Sequence, residues 1–195
     1  MRTASFFCSA IFISVSRAVS EGSALNCDQL IIPDQGHGKE LTDEQLSNHT
    51  IYWTFDPVKA DGQTGFNISS LEISFDSNAV NETESIGGVV IQVVPAGNSS
   101  EPVGEFTLTS EELTTKSCGE SGKNNTVVHV DGAWKNSFNA TWVPLVEGDH
   151  EVHVSVLTRN GFRNKAKVYE FSVSSSFVTS LFASLMILCL TFIST

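Results

Sequence analysis

Large apolar side chains fall on every second residue in segment after segment between residues 51 and 173, and this restricts the chain to β-structure. Ile51, Trp53 and Phe55 alternate with Tyr52 and Thr54, and Leu71, Ile73 and Phe75 with Glu72 and Ser74. Phe138, Ala140 and Trp142, then Val152, Val154 and Val156, then Tyr169, Phe171 and Val173 repeat the pattern. Phe106 and Leu108 flank Thr107, Val127 to Val130 is mostly β-branched, and Gly88 to Val94 is a continuous apolar run broken only by Gln92. A period of two places alternate side chains on opposite faces of a strand. Turn signals fall between the segments: Asp61-Gly62, Pro95 to Gly97, Glu120 to Gly122, Asp131-Gly132, Glu147 to Asp149 and Asn160-Gly161, the last a strong hairpin signal. The pattern predicts an all-β fold, a two-sheet antiparallel β-sandwich of immunoglobulin-like type. The one helical candidate is the short stretch Asp43 to Ser47, with Thr42 as its cap.

The alternation also assigns sides. In the Phe138–Trp142 segment the large residues share one face, so Asn139 points outward. Trp53 and Trp142 read as core residues. Trp134, in the loop Asp131-Gly-Ala-Trp-Lys135, is the tryptophan suspected of exposure and contact.

Both ends depart from this pattern. Arg2 followed by the ten-residue apolar run Phe6 to Val15, then small residues at Ala18 and Ser20, reads as a signal peptide over residues 1–20. Ten helical residues span only about 15 Å, half a bilayer core, which disfavours a membrane anchor there. Residues 21–173 form the domain. Residues 174–195 form a hydrophobic tail, uncharged throughout its 17-residue stretch Phe177 to Ile193. Small residues before such a stretch mark a glycosylphosphatidylinositol (GPI) anchor signal, with Ser174, Ser175 and Ser176 as candidate attachment residues. A short transmembrane helix is the alternative; no basic residue follows the stretch to hold its far side.

The chain has 11 Lys and Arg and 22 Asp and Glu. Arg2 and Arg17 lie in or beside the leader, so the domain keeps nine basic against 22 acidic residues, a net charge of −13. Such a surface excludes nucleic acid as a partner and argues against heparin-like polyanions. The basic cluster Arg159, Arg163, Lys165 and Lys167 reads as a solvated strand end close to the membrane in preference to a binding patch. Of four cysteines, Cys8 lies in the leader and Cys189 in the tail. Cys27 and Cys118 remain, and an even pair in an oxidising compartment is most simply one disulfide. Six N-x-S/T sequons, at Asn48, Asn67, Asn81, Asn98, Asn124 and Asn139, predict an N-glycosylated surface, with Asn81, Asn98 and Asn124 favoured by the turn residues around them.

Catalytic and metal chemistry finds little support. His150-Glu-Val-His153 resembles half of a zincin motif, but it lacks the i, i+4 helical spacing, and in a strand the two rings lie on opposite faces. His37, between glycines, reads as a turn residue and His129 as a half-buried strand residue. A blue-copper site would need a free thiolate with two histidines. No Gly-rich phosphate loop, G-x-S-x-G elbow or carboxylate pair stands out. The expectation is a non-enzymatic chain without cofactor or metal.

Seven segments occur in a fixed order: Cys27 with Pro33 and Gly36-His-Gly38, the run Gly88 to Val94, Pro102-Val-Gly-Glu-Phe106, Cys118, Val128-His129, Phe138-Asn-Ala-Thr-Trp142-Val-Pro144 and Gly148 to Val156. In that order they resemble the reeler (reelin-type) domain family. The resemblance implies a β-sandwich with Cys27 bonded to Cys118. The sequence departs from the family pattern at Ile86-Gly-Gly-Val89, where an aromatic-Gly-Phe start is usual. The heparin association of spondin-type relatives does not carry over to an acidic surface. The function expected is a cell-surface recognition or adhesion module that binds an extracellular protein or glycan ligand and is held to the membrane through its C-terminal anchor. A secreted or surface innate-defence protein that binds microbes is the alternative, and an enzyme or metal-binding sandwich a distant third.

Overall fold

The computed structural model describes residues 27, 38–42, 44–45, 52–61, 65–80, 85–97, 101–119 and 122–175. Nine strands form among them: β1 (Trp53–Lys59), β2 (Ile68–Asp76), β3 (Ile86–Pro95), β4 (Glu105–Leu108), β5 (Leu113–Lys116), β6 (Thr126–His129), β7 (Ser137–Val143), β8 (Gly148–Thr158) and β9 (Phe162–Val173). All pairings between these strands are antiparallel. One sheet has the order β1-β2-β7-β4 and the other β5-β6-β3-β8-β9. The two-sheet sandwich expected from the alternation is the fold.

The register shows why the alternating segments pair. Leu71, Ile73 and Phe75 on β2 lie opposite Trp142, Ala140 and Phe138 on β7, so two inward rows meet side by side. All six residues are buried. Val89, Ile91 and Val93 of β3 and Val152, Val154 and Val156 of β8 supply the facing rows. An aromatic cluster closes part of the core, with Trp53 5.7 Å from Phe138 and 5.3 Å from Phe75 between ring centroids. Trp142, completely buried, donates from Nε1 to the Val103 carbonyl at 2.8 Å. Gly104 makes this approach feasible: at φ 77°, a β-carbon there would lie 2.1 Å from that nitrogen.

Two features differ from the expectation. β5 was not legible, because Leu-Thr-Thr-Lys offers one large apolar side chain and no alternation. β3 and β6 are buried on both faces, where half-buried strands were expected. Their second face carries a small cluster of Val90, Val128 and Cys118, with Cys27 packed against it. The Cys27–Cys118 disulfide, Cα–Cα 5.3 Å across 91 residues of sequence, therefore lies on the outer side of the five-stranded sheet and does not cross the core. At the helical candidate, residues 44 and 45 are helical. Thr42 and Gln45 exchange hydrogen bonds in a capping box, Gln45 N to Thr42 Oγ1 at 3.3 Å and Thr42 N to Gln45 Oε1 at 3.0 Å.

The Asn160-Gly161 hairpin forms between β8 and β9, with Thr158 N donating to the Gly161 carbonyl at 2.8 Å. Gly161 has a second role. A β-carbon there would lie 2.2 Å from the Lys39 carbonyl, because residues 39–41 run alongside the hairpin and bond to Phe162.

The topology divides the connections between two ends. The β1–β2, β3–β4, β5–β6 and β7–β8 connections lie at the end where the chain leaves β9 at Val173. The β2–β3, β4–β5 and β6–β7 connections and the β8–β9 hairpin lie at the other, far end.

Candidate functional site

The β6–β7 connection at the far end is built around a buried lysine. Asp131 opens it with an Asx turn, its Oδ1 accepting from the Ala133 amide at 3.0 Å. Lys135 is 1% exposed, and its Nζ reaches three acceptors: the Ala133 carbonyl at 2.8 Å, the Asp131 carbonyl at 3.0 Å and Asp131 Oδ1 at 3.1 Å. Three N–H groups meet three oxygens, which offsets the cost of burying the charge. The Ala133 amide, then Lys135, hold the Asp131 carboxyl below its ordinary pKa. The Lys135 backbone exchanges two 2.8 Å bonds with Ile86 at the start of β3, so the loop is fastened to the sheet.

This frame presents Trp134, whose side chain is 44% exposed. Its ring lies against the backbone of Gly87, where a β-carbon would come within 3.1 Å of it. The Arg159 guanidinium, from the β8–β9 hairpin, stands 4.9 Å from the ring centroid, and Arg159 Nε donates to Ser85 Oγ at 3.2 Å. The result is an exposed indole with a cation above it, held in place from two other connections. Exposure of Trp134 agrees with the sequence reading. Its partners were missed: Arg159 is remote in sequence, and nothing in the loop sequence marks Lys135 as buried. The Gly87-Gly88 pair was the available signal, since a glycine leaves room for a ring laid on the backbone.

The basic cluster is not where it was expected. β9 has 12 residues, about 40 Å of extended chain; Arg159 lies in the hairpin before it and Arg163 at its far-end start, away from the chain exit at Val173. Arg163 pairs with Glu40 at 3.1 Å, and Lys167 pairs with Glu151 and Glu170.

His37 lies outside the described residues, and His129 and His150 serve packing. His129 is fully buried beyond the half-burial expected, with Nδ1 3.2 Å from Val89 N and 3.1 Å from Val89 O. Burial pushes its pKa down, which favours the neutral ring. His150 faces the core between Trp142 and Phe171, and burial pushes its pKa down too. His153 points to the opposite face and bonds Glu151 at 2.8 Å. Among the described residues no group of three or more His, Cys, Asp or Glu is placed to hold a metal.

Of the six sequons, Asn48, Asn81 and Asn98 lie outside the described residues. Asn139 is exposed on β7, as the alternation requires. Asn67 is exposed at the exit end, and its Oδ1 accepts from Ser174 N at 2.7 Å. Asn124 is half-buried at φ 51°. Its Nδ2 donates to Glu105 Oε1 at 3.3 Å and its Oδ1 accepts from Thr115 at 3.1 Å, a tighter setting than a solvated turn. Ser174 and Ser175 are exposed just after β9, bridged to Asn67 and Phe66, and Ser176 lies outside the described residues.

The described residues form a disulfide-closed, nine-stranded β-sandwich. Residues 26–181 match the Reeler domain family, and the chain belongs to that family, whose domains are non-catalytic extracellular modules. Solved structures similar to it include two of the human F-spondin reeler domain. One is 11% identical, with a TM-score of 0.41, covering 60% of this chain and 94% of that one. The other is 10% identical, with a TM-score of 0.45, covering 75% and 99%. A third, the Reelin-N domain of F-spondin, is 11% identical with a TM-score of 0.44, covering 71% and 93%. No curated protein sequence matches the chain. Among the described residues no helix is long and apolar enough to cross a membrane; the apolar stretch 177–193 lies outside them.

Proposed function

We propose that the chain is a cell-surface recognition or adhesion module that presents the Trp134–Arg159 pair to a macromolecular ligand. The observation that carries this is the exposed indole on a loop locked by a buried lysine. Trp and Arg are enriched among residues that dominate binding energy, and a pre-organised aromatic loses little entropy on contact. The −13 charge leaves Arg159 as a cation in an acidic surface, which favours a ligand carrying an apolar or aromatic group beside a carboxylate. Pull-downs with the glycosylated ectodomain and its Trp134→Ala variant as parallel baits test it. Loss of the captured partner, at a cost of about 2 kcal/mol or more, with unchanged thermal stability is expected; equal capture by both baits removes Trp134 from the contact.

The module is anchored through a GPI lipid at Ser174, Ser175 or Ser176 and is N-glycosylated. Support comes from the small residues and uncharged stretch beyond β9 and from the exposure of Asn67 and Asn139. A phosphatidylinositol-specific phospholipase is expected to release the protein from intact cells. Recovery of Cys189 in the mature surface protein would replace the lipid by a short transmembrane helix.

A further inference from the structure

The β7–β8 connection carries an exposed apolar pair. Leu145 is 57% exposed and Val146 43%, and Val143 two residues earlier is 37% exposed. Pro144, between Val143 and Leu145, is buried, so the connection is pinned and the pair projects from a fixed base. The exit of the chain lies at the same end. Gly148, which opens β8, pairs with Val173, which closes β9. Ser174 and Ser175 are then held to Asn67 and Phe66, and Ser176 alone separates them from Phe177, where the apolar stretch begins.

We propose that Leu145 and Val146 seat this end of the domain on the outer leaflet of the membrane that carries it. The inference rests on the anchor reading above. Two residues of extended chain reach about 7 Å, so the apolar stretch starts within that distance of the last bridge in the sheet. An interfacial side chain needs to enter only about 5–10 Å to reach the headgroup–acyl boundary. A lipid exchanged at one of the three serines attaches at the same place, so the same end faces the bilayer. The neighbouring charges select the lipid. Glu147 and Asp149 are exposed beside the pair, and the connection and its flanks from Val143 to His150 carry no Lys or Arg. Such a surface is repelled by anionic headgroups and fits a neutral, zwitterionic leaflet. The seat would hold the far end, with Trp134, turned toward the medium.

The test uses the full anchored protein, reconstituted in phosphatidylcholine vesicles, with an environment-sensitive dye on Leu145→Cys or, as control, on Glu112→Cys in the β4–β5 connection. Nitroxide-labelled phosphatidylcholine should quench the dye at position 145 at least about twofold and leave that at 112 unchanged; anionic lipid should reduce the effect. Equal quenching at both positions while the protein still floats with the vesicles overturns the seat and leaves the anchor standing. Protein that does not float with vesicles refutes the anchor reading and the seat with it. A blue shift at 145 that grows with protein density and resists the nitroxide identifies a second copy of the chain as the occupant, and also overturns the proposal.

Discussion

At the exit end the β5–β6 connection is held by the Cys27–Cys118 bond and by Asn125. The completely buried Asn125 amide accepts from Cys118 N at 2.8 Å and donates to the Cys118 carbonyl at 2.6 Å and to the Pro102 carbonyl at 2.9 Å. At the far end the β6–β7 connection has no disulfide; the Lys135 ammonium gathers Asp131 and Ala133 around itself, and two backbone bonds fix it to Ile86. A covalent link constrains the unfolded chain as well as the folded one, whereas a buried ammonium acts only once its acceptors have converged. The exit end therefore suits a support, and the far end suits a locked loop that displays a side chain.

Opening the disulfide tests the contrast most severely. Cys27→Ser is expected to destabilise the domain by about 2–5 kcal/mol in denaturant unfolding, and non-reducing peptide mapping of the wild type should recover Cys27 and Cys118 in one linked fragment. Two free thiols there would remove the distinction between the ends.

Lys135→Ala strips the donor from two carbonyls and a carboxylate and should cost about 1–3 kcal/mol. The loss should be local, with Trp134 fluorescence shifting before the global transition. A single transition seen by every probe would show that the loop is no separate unit.

Acid should act on both regions with a smaller effect. His129 and His150 have folded pKa values below their ordinary 6.5, so the unfolded chain binds more protons as the pH falls through that value. Their stabilising contribution is complete above about pH 6.5 and is lost as the pH falls from there through the folded values. Thermal melts at about pH 7.5 and about pH 5 should show the lower midpoint in acid. Equal midpoints would contradict the neutral, buried assignment.

The smallest stability effect is expected at Gly87→Ala. The new methyl would stand 3.1 Å from a ring that is 44% exposed and able to move, so stability should change by no more than about 0.5 kcal/mol. Ligand capture should fall nonetheless, because the indole leaves its position under Arg159. Unchanged capture would show that the orientation of Trp134 does not matter.

Eight of the nine strands were visible in the sequence, six as alternation and β3 and β6 as apolar or β-branched runs, because both patterns are local. β5 was not, since its place comes from pairing Leu113 to Lys116 with His129 to Thr126. Within the candidate site, Trp134 was legible from its turn-rich surroundings. Arg159 was not, as its position over the ring depends on two far-end connections meeting in space. The basic cluster was misplaced for a similar reason: nearness in sequence to the tail says little about distance when a 12-residue strand intervenes.

By itself the sequence determined the sheet periodicity, the inward and outward faces, the turn positions and the one cysteine pair available to the domain, because each follows from short-range sterics or from counting. Tertiary structure decided which side of which sheet the disulfide covers, that Lys135 is interior, and that Trp134 and the chain exit lie at opposite ends. These depend on strand order and on acceptors converging from separate turns of the backbone, and the burial of a charge is tolerable only after that convergence has occurred.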